Sequence, residues 1–449
     1  MTAAAPASRS LPASREITPE QRRSMFLLGG EISLFMTAMG LVGPLTFVPL
    51  FVSHLNPDPF AIGAVTAAFQ LGWLPQLFVA GYVERSHKKW PWVQWFGTIE
   101  RLPILVLALC ALAAPYVGAP ILIVVYFACF AQSLCGGFAT TPWLDVISRA
   151  IPGRLRGRFM GTSTMIGTLA GAGGAALAAP LLDTLPFPYG FAACFGIAFG
   201  IFLISIIPLF LFKEPPGPPP RPKRSFASQL RDLPEILSTD RRFRRFVGGL
   251  SCSALGTMSN GFLAVYAVSE LGAPDEQVAW FTAILLVAQT TGSLGCGWLG
   301  DRYSIRVVGI AMALATAAQA IVALLAPTSA WFLLAFVLLG TVQSGSMLAR
   351  MTGPIDYAPR ERLPTYVALS GALVSCCTAA APMLGGQIVA MLGYPWLFGL
   401  SALAALLAIP ILGPGAAALP RPPVPVPVPG AHLDSNADAS ILPAPSAQA

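Results

Sequence analysis

Two stretches decide the reading of this chain: GWLGDRYSIR at 297–306 and AGYVERSHKK at 80–89. Each interrupts long apolar sequence with an acid (Asp301, Glu84) followed by bases (Arg302 and Arg306; Arg85 and Lys88). A carboxylate beside a helix N-terminus is stabilised by unpaired backbone N–H groups and the helix dipole, by about 0.3–1 kcal/mol. Both stretches therefore read as short charged turns that end one helix and begin another.

Working outward from these turns, the apolar runs are long enough to span a bilayer, which takes about 20 residues per helix. The pattern predicts helices over 25–53, 61–82, 90–114, 119–147, 158–182, 187–212, 246–269, 277–299, 306–326, 330–357, 364–392 and 394–414. The composition agrees: 55% of the 449 residues are hydrophobic and 10% charged, against about 25% charged in soluble domains. That excludes a soluble enzyme and, with so much apolar residue, a disordered chain. The fold class is an all-α integral membrane protein with twelve transmembrane helices in two six-helix halves. The domains are a polar N-terminal tail (1–24), a first bundle (25–212), a basic central loop (213–245), a second bundle (246–414) and a Pro/Ala-rich tail (415–449) expected to be extended.

Position gives the charges their meaning. The net charge is +7, from 27 Lys+Arg against 20 Asp+Glu. The basic residues fall in the N-terminal tail, the turns near 83–89, 148–158, 301–306 and 358–363, the central loop and the C-terminal tail. The alternate loops have no Lys or Arg but carry Asp58, Asp183, Glu270, Asp275 and Glu276. The positive-inside rule then places both termini in the cytoplasm. The basic loops record topology and lipid contact, not nucleic-acid binding. The eight cysteines lie in apolar runs and read as small buried side chains, with no metal ligand set; His54, His87 and His432 are scattered. No short apolar core with a cleavage site precedes the first helix, so no cleaved signal is expected. No cofactor is expected either.

The halves resemble one another. AQSLCG at 131–136 precedes Asp145, and VQSGSM at 342–347 precedes Asp356, so that Gln132, Ser133 and Asp145 match Gln343, Ser344 and Asp356 at one offset. The turn at 297–306 matches the Gly-x-Leu-x-Asp-Arg-x-x-x-Arg signature of the major facilitator superfamily, lacking its internal glycine. The turn at 80–89 is similar, with Ala80, Glu84 and His87 as departures. This resemblance covers about residues 25–414. It implies a transporter of two six-helix halves that rock about a central site. It further implies that Glu84 sits near the start of the eleventh helix, where Pro364 suits a first turn, and that Lys88 or Arg85 pairs with Asp145. By symmetry Asp301 would face the start of the fifth helix, and Arg302 or Arg306 would meet Asp356. Such contacts would close the cytoplasmic gate. Pro382 with Gly385 and Gly386 resembles part of an exporter motif, but lies in the eleventh helix, where the family has it in the fifth.

Four ionisable residues fall inside predicted spans: Glu31, Glu100, Arg101 and Arg350. Facing lipid, each would cost about 2.5–3.5 kcal/mol, so each should face a partner or a cavity. The resemblance places the first, fourth, seventh and tenth helices around the cavity, which makes a Glu31–Arg350 contact one expectation. Glu31 is then either a proton-coupling carboxylate or half of a static pair. Glu100 and Arg101 point about 100° apart and are expected to bond the second or fourth helix. Gln132, Ser133, Gln343, Ser344, Gln70, Gln289 and Asn260 are the candidate substrate-binding residues, with Trp73, Tyr126, Phe262 and Tyr266 as aromatic walls. Such a lining suits an organic solute with few formal charges.

The expected function is alternating-access transport of a small organic solute by a monomer in the bacterial inner membrane, with proton-coupled export first in order. Uptake of a metabolite, or a non-transporting assembly factor or sensor, are the alternatives. No HExxH, GxSxG or P-loop occurs, and an enzyme is not expected.

Overall fold

Helix begins earlier than the apolar pattern implies. Thr18 and Gln21 form a reciprocal capping box, Pro19 takes the first turn, and α1 runs Pro19–Val42, so the polar tail reaches only to about residue 18. The computed structural model describes residues 17–74, 88–215, 236–358 and 363–413. Most of the expected N-terminal tail, the centre of the 213–245 loop and the 415–449 tail lie outside them, as do Glu84 and Arg85.

The described residues are helical, without a strand. The first span is α1 and α2 (Phe47–Leu55), and α3 (Pro59–Leu71) is the described part of the second. The third is α4 (Trp90–Ile99) and α5 (Leu102–Val117). The fourth to sixth are α6 (Leu122–Ala150), α7 (Gly153–Thr184) and α8 (Tyr189–Leu211). The second half repeats the series: α9 (Arg241–Gly256) and α10 (Leu263–Ser269) make the seventh span. The remaining five are α11 (Asp275–Arg302), α12 (Ile305–Leu325), α13 (Phe332–Tyr357), α14 (Leu363–Leu392) and α15 (Tyr394–Leu412). Ten of these described segments are long and apolar enough to cross a membrane unaided. The second and seventh spans complete the twelve.

Three of the spans predicted as single runs are broken. In the first, Gly43 adopts φ +52° and donates its N–H to the Met39 carbonyl, ending α1 ahead of Pro44. A side chain there would be strained. In the third, Pro103 has no N–H to give the preceding turn. The ladder tightens to i→i+3 bonds at Arg101 and Ile104, leaving Glu100 and Arg101 at the break. In the seventh, Thr257–Phe262 winds as 3₁₀-helix between α9 and α10.

Call the end of the bundle carrying Pro19 and Leu412 the terminal face, and the other end the distal face. The largest apolar cluster joins both halves, from Ala38, Phe47, Phe51 and Phe69 to Phe262, Phe281, Phe336 and Phe398. Toward the terminal face the apolar residues divide into two clusters. One holds first-half residues such as Leu28, Trp90, Val146 and Phe212, the other second-half residues such as Phe243, Phe246, Val308 and Leu412. The halves are thus closed together distally and pack separately at the terminal face. Hydrogen bonds cross the distal closure: Thr282 Oγ1 donates to Thr46 Oγ1 at 2.8 Å, and His54 Nε2 lies 2.8 Å from Asp275 Oδ2. Backbones also meet there, for a Cβ on Gly63 would stand 2.3 Å from the Pro382 oxygen. All eight cysteines are free, and five are buried; Cys376 is exposed and Cys252 and Cys377 are partly so, contrary to the expectation that all are buried.

Candidate functional site

The breaks in the first and seventh spans open onto a narrow cavity between the halves, whose space of about 390 Å³ is in part open solvent. Leu45, Thr66 and Gln70 line it from the first half. From the second half come Thr257 and Asn260 of the 3₁₀ segment, and Gln343, Ser346 and Arg350 from successive turns of α13. Thr378 and Pro382 on α14 close the wall. Apart from Leu45 and Pro382, the described lining is hydroxyl and amide with one cation and no carboxylate. Arg350 donates through Nη2 to Thr378 Oγ1 at 3.1 Å. Asn260 is also tied to the ninth span, its side chain hydrogen-bonded to that of Gln319 at 2.9 Å.

The expected Glu31–Arg350 contact does not form. Glu31 Oε1 instead accepts from Arg101 Nη2 at 3.1 Å, inside the first half. Arg101 is 1% exposed and bonds through all three of its nitrogens. Its Nε donates to Ser205 Oγ at 2.9 Å and to the Phe202 carbonyl at 3.3 Å, and Nη1 donates to the Gly97 carbonyl. Phe35 and Phe202 lie against the guanidinium at 5.7 and 5.8 Å. The break at Pro103 aims Arg101 at the first and sixth spans and not at the second or fourth. Glu100, on the other side of the helix, accepts from Gln132 Nε2 at 3.2 Å on the fourth span, one of the two partners expected for it.

Gln132 therefore faces Glu100, whereas its pseudo-symmetric mate Gln343 faces the cavity. The mates differ because the third span carries a carboxylate at 100 and the matching place in the ninth span is alanine. Ser133 and Ser344 bond carbonyls of their own helices, Cys129 and Thr341, and do not line the cavity. Gln289 does not line it either, while Gln70 and Asn260 do. The proposed aromatic walls are not among the cavity's lining residues: Tyr266 stacks on Phe332 and meets Phe398 edge-on, and Phe262 is buried in the shared apolar cluster.

At the terminal face, the partner of Asp145 is Lys89, with Nζ 3.0 Å from Oδ2. Lys89 is the last residue of the 80–89 stretch and stands where Arg306 stands in the other. Arg149 joins the same carboxylate at 2.8 Å and Glu214 at 2.9 Å. Glu214 in turn accepts from the Lys89 and Trp90 backbone N–H groups at 3.0–3.1 Å, satisfying the first turn of α4. Lys88 is exposed and does not take Asp145. In the second half, Arg306 reaches the Tyr357 hydroxyl at 3.2 Å rather than Asp356, and Arg302 lies over Trp298 and Tyr303. Asp301 and Asp356 are exposed and form no ion pair among the described residues. None of these terminal-face contacts crosses between the halves, consistent with a terminal face that stands open.

Sequence reasoning missed Thr66, Thr257, Ser346 and Thr378 as lining residues, since lone hydroxyls in apolar helices carry no directional signal. It also missed Lys89, although the alignment of the two charged turns marks that position. Arg149 and Glu214 gave no motif signal.

The geometry has parallels. Among solved structures, a mutant of the nucleoside transporter NupG superposes with TM-score 0.68 at 13% identity, over 86% of this chain and 99% of that one. A bacterial homologue of the iron transporter ferroportin in an inward-facing state gives TM-score 0.64 at 15% identity, over 88% and 98%. A D-xylose–proton symporter gives 0.60 at 15%, over 86% and 96%. At such identities the likeness is one of fold. No curated protein sequence matches the chain. The sequence model of the Major Facilitator Superfamily matches residues 31–259 and again 245–443, once for each six-helix half. Twelve spans in two repeated halves around a central polar cavity, with both halves matched by that model, make this chain a member of the Major Facilitator Superfamily of transporters.

Proposed function

We propose that the chain is a secondary active transporter that carries a small organic solute across the bacterial inner membrane, as a monomer with both termini cytoplasmic, and exports it in exchange for protons. The cavity shared by the two halves carries this reading: it is closed distally by the joint apolar cluster while the clusters separate at the terminal face. A solute held there contacts both halves, so rocking them carries it from one face to the other. With the termini inside, the conformer is inward-open. The cluster of Lys89, Asp145, Arg149 and Glu214 and the Arg306–Tyr357 contact belong to the terminal face, and their role is to hold its helix ends together while the gate opens and closes.

Proton coupling is assigned to Glu31 and Glu100 together. Two buried carboxylates lie near a single guanidinium, Arg101: Glu31 accepts from it, and Glu100, its neighbour in the chain, accepts from the Gln132 amide. One proton neutralises the group, and its loss leaves a net charge in a buried place. Flux in proteoliposomes under an imposed pH gradient tests this, with Glu31→Gln and Glu100→Gln as variants. Gradient-driven flux should fall at least about tenfold in one of them while exchange without a gradient persists. Unchanged gradient-driven flux in both removes the coupling role. Accumulation driven inward by protons would establish uptake instead. Absence of saturable flux for any solute, with retained binding to another protein, would mark a non-transporting member.

A further inference from the structure

Arg350 differs from every other charge inside the described spans. Arg101 is closed in by three oxygen acceptors besides its carboxylate. Glu31 has Arg101, and Glu100 has Gln132. Arg350 has a single hydroxyl partner, Thr378, and no carboxylate within ion-pair distance among the described residues. Arg350 also lines the cavity between the halves. A guanidinium offers five donors in a planar fork and cannot deprotonate, so it keeps its charge whatever surrounds it. A cation with no anion nearby is costly in the middle of a membrane protein unless something else brings the anion.

The rest of the lining favours the same ligand. Ser346 supplies a hydroxyl that can donate, and Gln70 and Gln343 supply amides, whereas the Thr66 and Thr257 hydroxyls donate to the Ile62 and Ala254 carbonyls of their own spans. Among the described residues, no acid lines the cavity to repel a negative group or to attract a positive one. Donors converging on one fork without a built-in counter-ion are the arrangement for a carboxylate or phosphate. The cavity also bridges the halves, with Thr66 and Gln70 opposite Arg350, so an anion seated on the fork would draw both sides onto it.

We propose that the transported solute is a small organic anion, and that Arg350 is its charge-recognising residue, with Thr378 holding the guanidinium in place. This rests on the transport reading above and narrows it: the anion is the charge the cavity lacks.

The test uses the full chain in phosphatidylcholine nanodiscs, where no anionic lipid competes. Calorimetric titrations compare benzoate and phenyl phosphate with uncharged benzamide and cationic benzylamine. Benzoate or phenyl phosphate should bind saturably, and the stronger of the two tells whether carboxylate or phosphate is preferred. Arg350→Gln should weaken that binding about 10- to 100-fold. Arg350→Lys keeps the charge but loses the fork and should fall between. The lysine variant carries the comparison alone if the glutamine variant does not elute as a folded monomer. Benzamide or benzylamine binding as well as the anions, anion binding unchanged in the variants, or no binding of either anion would each overturn the proposal. Proteoliposome flux separates the two readings. If an anion binds through Arg350 but no solute crosses, the anion site stands and the transport reading fails. If a neutral solute crosses equally in wild type and Arg350→Gln, transport stands and the anion site fails.

Discussion

Replacing Gly63 by alanine would put a methyl carbon 2.3 Å from the Pro382 carbonyl oxygen, a backbone atom of the opposite half. A backbone oxygen cannot rotate aside as a side chain can, so the second and eleventh spans must separate by about 1 Å to reach ordinary contact. Overpacking of this kind costs about 1–3 kcal/mol. The cost falls only on conformers in which the distal face is closed, because rocking the halves parts Gly63 from Pro382. Every 1.4 kcal/mol is tenfold in an equilibrium constant, so the closed-to-open ratio at the distal face should fall about 5- to 150-fold. Gly40 supplies the control. Its added Cβ would stand 2.0 Å from the Gly171 oxygen, but α1 and α7 belong to one half. Gly40→Ala therefore strains both conformers alike and should lower the melting temperature without moving the equilibrium. Both variants share the higher helix propensity of alanine, about 0.8–1 kcal/mol, so that gain cancels between them. The assay is the distance between spin labels at Tyr116 and Ala330, exposed residues at the distal ends of the third and tenth spans, in a background lacking reactive cysteines. A longer-distance population should grow in Gly63→Ala. An unchanged distribution in a folded Gly63→Ala protein, or an equal change in Gly40→Ala, refutes the assignment of this contact to the closing of one face.

Other expectations follow from single contacts. Arg101→Met leaves Glu31 buried without a counter-charge and should destabilise the first half by about 3–5 kcal/mol, read as lost thermal stability, with Glu31→Leu partly restoring it. Gln132→Leu and Gln343→Leu, matched by sequence, should part in kinetics: the first removes the Glu100 partner and alters the pH dependence of flux, the second alters KM because only Gln343 lines the cavity. Glu214→Ala removes the acceptor of the Lys89 and Trp90 N–H groups and should cost about 1 kcal/mol, seen as a lower melting temperature. Asp275→Asn breaks a partly exposed contact to His54 and should change stability by less than about 1 kcal/mol.

The sequence alone determined the architecture, because in a bilayer every spanning segment must satisfy its own backbone and show apolar side chains for about 20 residues. The twelve runs, their division into sixes and the charged turns at 80–89 and 297–306 are properties of the linear pattern. So was the list of buried charges, since Glu31, Glu100, Arg101 and Arg350 stand out in any apolar run. Which of them meet was a matter of tertiary structure. Helix register around the axis and the break at Pro103 turned Arg101 toward Glu31, and that contact left Arg350 without the partner that helix order implied. Repeat symmetry misled for the same reason: Gln132 and Gln343 hold equal places in the chain, but Glu100 claims the first and leaves the second to the cavity. Lys89, in a charged turn between two apolar runs, was legible only from aligning the two turns end to end. A pairing depends on where side chains point across helices that are distant in sequence, and only the packed bundle fixes that direction.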